Sequence, residues 1–124
     1  MDLSLFVRRR SPHGVVQVTG EIDLNSAPWL QEQLLSILRA SGPRLLVDLS
    51  GVSFIDCAGL RMLLATRRSA EQQACPVTFV AASGHVRRIA ELTGQMEAMA
   101  LATPSPAAAR YAQYAAQPLV ARPA

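Results

Sequence analysis

Residues 44–65, RLLVDLSGVSFIDCAGLRMLLA, constrain the fold more than any other stretch, because a strand pattern gives way to a helix pattern there within a few positions. Leu45, Leu46, Val47 and Leu49 form a nearly unbroken apolar run, the mark of a sheet strand covered on both faces. Ser50-Gly51 is expected to end that strand, and Val52 to Ile55 makes a short second strand-like run. Leu60, Leu63 and Leu64 then fall at helical spacing, so a helix must open near Cys57, with Asp56 as its N-cap.

The flanking chain supplies the partners such a unit needs. Residues 3–7 and 14–19 are apolar-rich segments separated by Ser11-Pro12-His13-Gly14, the pattern of a hairpin. Asn25-Ser26-Ala27-Pro28 is a helix-start signal, Leu30, Leu34, Ile37 and Leu38 give an amphipathic stripe, and Ser41-Gly42-Pro43 stops it. The second helix should run from Cys57 to about Ala74, ended ahead of Pro76. Val77 to Ala82 reads as a strand, followed by Ser83 as the cap of a third helix with Val86, Ile89 and Ala90 on its inner face. Arg87 and Glu91 stand one turn apart on the outer face of that helix, at the spacing of a surface ion pair, and Gly94 ends it. Residues 97–102 fit an edge strand by position, while Met96 to Ala100 fits a helix by propensity. After Pro104-Ser105-Pro106, Ala108, Tyr111 and Ala115 fit one face of a last helix, and residues 118–124 are expected to be a flexible C-terminal tail.

Strands alternating with helices imply parallel neighbours. The expected architecture is therefore α/β: one domain over residues 1–117, with a mixed, mostly parallel sheet of four or five strands. An antiparallel N-terminal hairpin opens the sheet, which packs against about four helices.

Composition narrows the function. With 124 residues, half of them hydrophobic, the chain can bury one core without disulfides or metals. No apolar run approaches the roughly 18 residues that span a bilayer, and MDLSLFVRRR places its charges after its apolar stretch, the reverse of a secretory signal. A cytoplasmic protein without membrane insertion is expected. The net charge is +3, and all twelve basic residues are arginine. Their one dense cluster, Arg8-Arg9-Arg10, lacks interleaved aromatics and reads as a solvated strand end rather than a direct nucleic-acid contact. Cys57 and Cys75 fall near opposite ends of one predicted helix, about 27 Å apart at 1.5 Å per residue, which excludes a bridge that needs Cα atoms within about 7 Å. His13 and His85 share no ligand spacing with each other or with either cysteine, so neither a metal nor a cofactor is expected.

Three segments in order give the chain a resemblance to the STAS domain family, in particular to bacterial anti-sigma factor antagonists, over about residues 3–117. VTGEIDLNSAPWL (18–30) looks like that family's strand-to-helix segment; LLVDLSGVSFIDCAGLRMLL (45–64) is similar to its signature of strand, Asp-Leu-Ser-Gly-Val and a helix opened by Asp-(Ser/Thr)-(Ser/Ala)-Gly-Leu; VAASGHVRRIAELTG (80–94) looks like the strand and helix that follow. The second match is the specific one. The resemblance implies a non-catalytic protein-binding module whose partner is an anti-sigma factor or related kinase-like protein. Binding would release a sigma factor for transcription. It leaves a homodimer open, and it also admits a STAS subunit of an ATP-driven transport complex.

In switching members of that family the kinase modifies the serine directly after the motif aspartate, and here that position is Cys57. A phosphoryl group there would bring about −1.5 to −2 charges to a helix start. A thiol is no substrate for a serine kinase, so the chain either binds without that switch or is controlled by another route. Ser50 and Ser53 precede the turn and fit local bonds to turn backbone. A cysteine opening a helix also fits a redox-regulated binding module, which the adjacent Asp56 carboxylate opposes. An enzyme with Cys57 as nucleophile is disfavoured, since no histidine base or orienting third group can be assigned. The residues expected to meet the partner are Asp23, Asp56, Cys57, Ala58, Arg61 and Met62. Met62 is placed beside Arg61, Ala65, Arg68 and Gln72 on the outer helix face, and Gly59 has a structural role through close backbone approach.

Overall fold

The computed structural model describes residues 3–10, 13–40, 44–101 and 120–123. Strands β1 (Leu3–Arg10) and β2 (His13–Ile22) form the expected antiparallel hairpin. Helix α1 (Ala27–Ala40) leads to β3 (Arg44–Ile55), α2 (Cys57–Gln72), β4 (Val77–Ala82), α3 (Gly84–Leu92) and α4 (Met96–Met99). The sheet order is β4-β3-β2-β1-β5, with β5 (Val120–Pro123) antiparallel to β1 and β2, β3 and β4 mutually parallel. A mixed five-stranded sheet with its N-terminal hairpin is thus in place, and four helices stand among the described residues.

Alternation along the strands decides which face the helices cover. Leu3, Leu5 and Val7 of β1, Val16 and Val18 of β2, Leu45, Val47 and Leu49 of β3, and Val77 and Phe79 of β4 join one buried cluster with Leu30, Leu34, Leu60, Leu63, Val86 and Met99 of the helices. Val15 and Leu46, on the opposite face, form a second small cluster with Val80 packed on it. Both faces of β3 are therefore apolar, as its unbroken run requires.

Two elements differ from expectation, and a third resolves a choice that the sequence leaves open. The pair Ser50-Gly51 does not end the strand: β3 runs on to Ile55, with register shifts against β2 between Gln17 and Thr19 and between Gly20 and Glu21. Each shift sets an extra β3 residue against β2, and together they move the inward positions from Leu45, Val47 and Leu49 to Val52 and Ile55. Gly51 serves the bulge, since a Cβ there would lie 2.6 Å from Thr19 Cγ2. Residues 96–99 resolve as helix rather than edge strand. The edge is instead β5, formed by Val120–Pro123 inside the segment expected to be a flexible tail. The last helix expected over 104–117 lies outside the described residues.

The loops fix the helix ends. Helix α2 stops two residues sooner than expected, where Gln73 N–H donates to Ala70 O and Ala74 takes a left-handed φ of 58°. Ser83 Oγ accepts from Val86 N–H at 3.3 Å at the start of α3, as its sequence signals, and Gly94 follows that helix with φ 72°. The ion pair expected between Arg87 and Glu91 is replaced by a hydrogen bond from Arg87 Nε to Ala82 O. Arg67 instead pairs with Glu71 at 3.5 Å, donates to Ala98 O at 2.6 Å and lies over the Phe79 ring, fastening α4 to α2 and β4.

Candidate functional site at the start of the second helix

The carboxyl ends of β2 and β3 lie side by side, where parallel α/β sheets commonly place their sites. Ile22 ends β2, Ile55 ends β3, and Asp56 N–H donates to Ile22 O at 3.1 Å, so the loops that start α1 and α2 leave the sheet together. Asp56 is the N-cap of α2, with an extended backbone and Oδ1 accepting from Gly59 N–H at 2.8 Å. Its second oxygen does something that local sequence does not show. Oδ2 accepts from Leu24 N–H at 3.0 Å, tying the β2–α1 loop to the α2 start across 32 positions.

The neighbouring loop is closed by its own carboxylate. Asp23 Oδ1 accepts from the N–H groups of Asn25 and Ser26, each at 2.9 Å, while Ser26 Oγ accepts from Asp23 N–H at 2.9 Å. Ser26 is buried, and its carbonyl takes the α1 hydrogen bond from Leu30 N–H. The hydrogen bond from Ser26 N–H is the largest influence on the Asp23 carboxyl and holds it below its ordinary value of 3.8, against the opposing effect of desolvation. Two carboxylates thus sit at the starts of two adjacent helices, where the positive ends of the helix dipoles favour them.

Around this frame the expected partner residues divide. Cys57 opens α2 with an exposed free thiol, Arg61 is exposed one turn on, and Asp23, Asp56 and Ala58 are half-buried at the same surface. Met62 does not belong with them: it is 7% exposed and part of the core. The helix is buried over Gly59, Leu60, Met62, Leu63, Leu64, Thr66 and Ala70, a far wider arc than the three leucines mark, because α1 packs along it in addition to the sheet and α3. Thr66, one turn after Met62, is buried with its hydroxyl donating to Met62 O at 2.8 Å. Gly59 has the structural role expected of it, since a Cβ would lie 2.8 Å from Ile22 Cγ2 and 3.0 Å from both Ile22 O and Ile55 Cγ1.

Sequence reasoning missed three residues of this surface. Leu24 and Phe54 are 69% and 40% exposed, large apolar side chains on the β2–α1 loop and at the end of β3, the two segments that Asp56 joins. His85 comes from α3 to the same place, its ring 5.2 Å from Phe54 and its Nε2 3.2 Å from Ile55 O. A carbonyl only accepts, so Nε2 carries the proton in that bond. The available signal for Phe54 was alternation, with Ile55 turned inward beside it; nothing local links His85 to residue 55.

Both carboxylates are taken up by backbone N–H groups and the His85 Nε2–H is given to a carbonyl, so the groups an acyl- or phosphoryl-transfer site would need for proton movement are engaged in holding loops. Among the described residues no group of three or more His, Cys, Asp or Glu could hold a metal ion, and no helix is long and apolar enough to cross a membrane.

Known proteins place this geometry in a family. An anti-sigma-B factor antagonist of Staphylococcus aureus is 29% identical over 100 residues, 80% of this chain and 92% of that protein. One of Listeria monocytogenes is 30% identical over 95 residues, 76% and 83% of the two. The crystal structure of an anti-sigma factor antagonist from Mycobacterium paratuberculosis matches with a TM-score of 0.68 at 32% identity, covering 89% of this chain and 92% of that one. The family model described as "Mlab, STAS domain" matches residues 5–101, and the chain belongs to the STAS domain family.

Proposed function

We propose that this chain is an anti-sigma factor antagonist: a non-catalytic domain that binds an anti-sigma factor in the cytoplasm and so frees a sigma factor for transcription. The observation that carries it is the likeness to antagonists over nearly their whole length, 92% of the Staphylococcus protein and 92% of the Mycobacterium structure. The contact surface is the start of α2 with the loop before α1, comprising Asp23, Asp56, Cys57, Ala58 and Arg61, widened by Leu24 and Phe54. Leu24 and Phe54 add the exposed apolar area that an interface core needs at the centre of a polar rim.

Cys57 sets the regulation. Its exposed thiol occupies the first position of α2, where an added negative charge would alter the surface most, yet a serine kinase cannot place one there. The antagonist therefore binds constitutively with respect to that modification. The test is a displacement assay in which each anti-sigma factor of the source organism, preloaded with its sigma factor, is titrated with this protein. Release of sigma at stoichiometric addition is expected. Failure to release sigma from any of them, together with recovery of a transporter ATPase in a pull-down, would replace this function with a transport-complex one.

A further inference from the structure

A recess borders Cys57 along α2. Between the first two turns of α2 and the connection from α3 to α4 lies a notch of about 240 Å³, lined by Cys57, Leu60, Arg61, Leu64, Thr93 and Gln95. Leu60 and Leu64, 2% and 8% exposed, form an apolar floor, and Cys57, Arg61 and Thr93 form an exposed rim. The volume is below the roughly 300–1,000 Å³ of small-molecule sites and suits a side chain better than a cofactor. The Thr93 hydroxyl is committed to Ile89 O at 2.7 Å, so it offers the recess little hydrogen bonding. Arg61 makes no ion pair among the described residues. What the notch presents is an apolar floor and one uncompensated cation.

We infer that this notch receives an apolar side chain of the anti-sigma factor, set next to an acidic residue of that partner that pairs with Arg61. The inference rests on the antagonist function and adds the chemistry of the partner: an apolar anchor flanked by Asp or Glu. Anchors that fill a desolvated pocket are where interface energy concentrates. A cation at the rim adds complementarity and a salt-sensitive association rate. Cys57 borders both the notch and the Asp56 surface, so one partner segment crossing it reaches both.

The test uses the full chain and the anti-sigma factor it displaces from sigma. Thr93→Phe and Gln95→Phe fill the notch from its rim, Arg61→Glu reverses its charge, and Arg39→Glu in the last turn of α1 is the control. By calorimetric titration, each notch variant is expected to bind about tenfold more weakly or worse, with Arg39→Glu unchanged and all melting temperatures close to that of the unaltered protein. Unaltered protein that binds while the folded notch variants bind equally well overturns the notch alone. Unaltered protein that binds no anti-sigma factor overturns the function and the notch together. A small molecule found in the notch by native mass spectrometry, released by Thr93→Phe, would also overturn a side-chain occupant.

Discussion

Replacing Asp56 tests how the site is built. Asp56→Ala removes two hydrogen bonds at once, from Gly59 N–H at 2.8 Å and from Leu24 N–H at 3.0 Å. Loss of a helix N-cap costs about 0.5–2 kcal/mol, typically ~1. A bond to a charged acceptor contributes about 1.5–3 kcal/mol, and the lower end applies at Leu24, which water can reach. The sum is about 2–3 kcal/mol, which for a domain of this size lowers the melting temperature by roughly 6–12 °C. Asp56→Asn separates the two terms, because an amide keeps one acceptor oxygen and turns a donor toward the other N–H. If its oxygen stays on Gly59, about half the loss is expected, with faster hydrogen exchange at the Leu24 amide and retained protection at Gly59. Urea unfolding and amide exchange measure both. An Asp56→Ala variant within about 0.5 kcal/mol of the unaltered protein, the scatter of ordinary surface changes, would refute the bridging role.

Other consequences are more local. Gly59→Ala favours a helix by propensity, by about 1 kcal/mol, yet its Cβ would meet Ile22 and Ile55 at 2.8–3.0 Å, and overpacking of about 1–3 kcal/mol should make it net destabilising; a more stable variant would contradict the close approach. Met62→Ala should lower stability by about 2–5 kcal/mol in chemical denaturation, while Arg61→Ala leaves it unchanged; the reverse order would return Met62 to the surface. Because the Asp23 carboxyl is held below 3.8 in the folded state, the unfolded chain takes up its proton first. Its contribution is present above that value and is lost as pH falls through the lowered folded one. Asp23→Asn should therefore flatten the acid limb of the stability profile, and parallel profiles for the two proteins would refute this.

Features set by neighbouring residues were legible in the sequence, and those set by tertiary pairing were not. The capped start of α2 followed from Asp56 preceding a leucine stripe, and the cap of α3 from Ser83 preceding Val86. The tie from Asp56 to Leu24 and the approach of His85 to Ile55 join positions 32 and 30 apart, for which local pattern carries no signal. Ser50-Gly51 has the composition of a turn, but pairing with β2 absorbs it as a bulge, so the strand continued where propensity alone would stop it. Met62 was misplaced because a wheel drawn through Leu60, Leu63 and Leu64 assumes one buried stripe, whereas α2 is also covered by α1. The edge strand at Val120–Pro123 exists only through its partner β1, and four residues ending in proline carry no strand pattern of their own.

The central claim is that the start of α2 meets the anti-sigma factor, and Cys57 reports on that without any substitution. The protein, free and in complex with the anti-sigma factor, is treated briefly with a thiol alkylating reagent and digested, and modification at Cys57 and at the half-buried Cys75 is read by mass spectrometry. Rapid labelling of Cys57 in the free protein and protection of Cys57 in the complex, with Cys75 unchanged between the two, is the expected result. Equal labelling of Cys57 in both states would place the partner elsewhere on the domain and contradict the account.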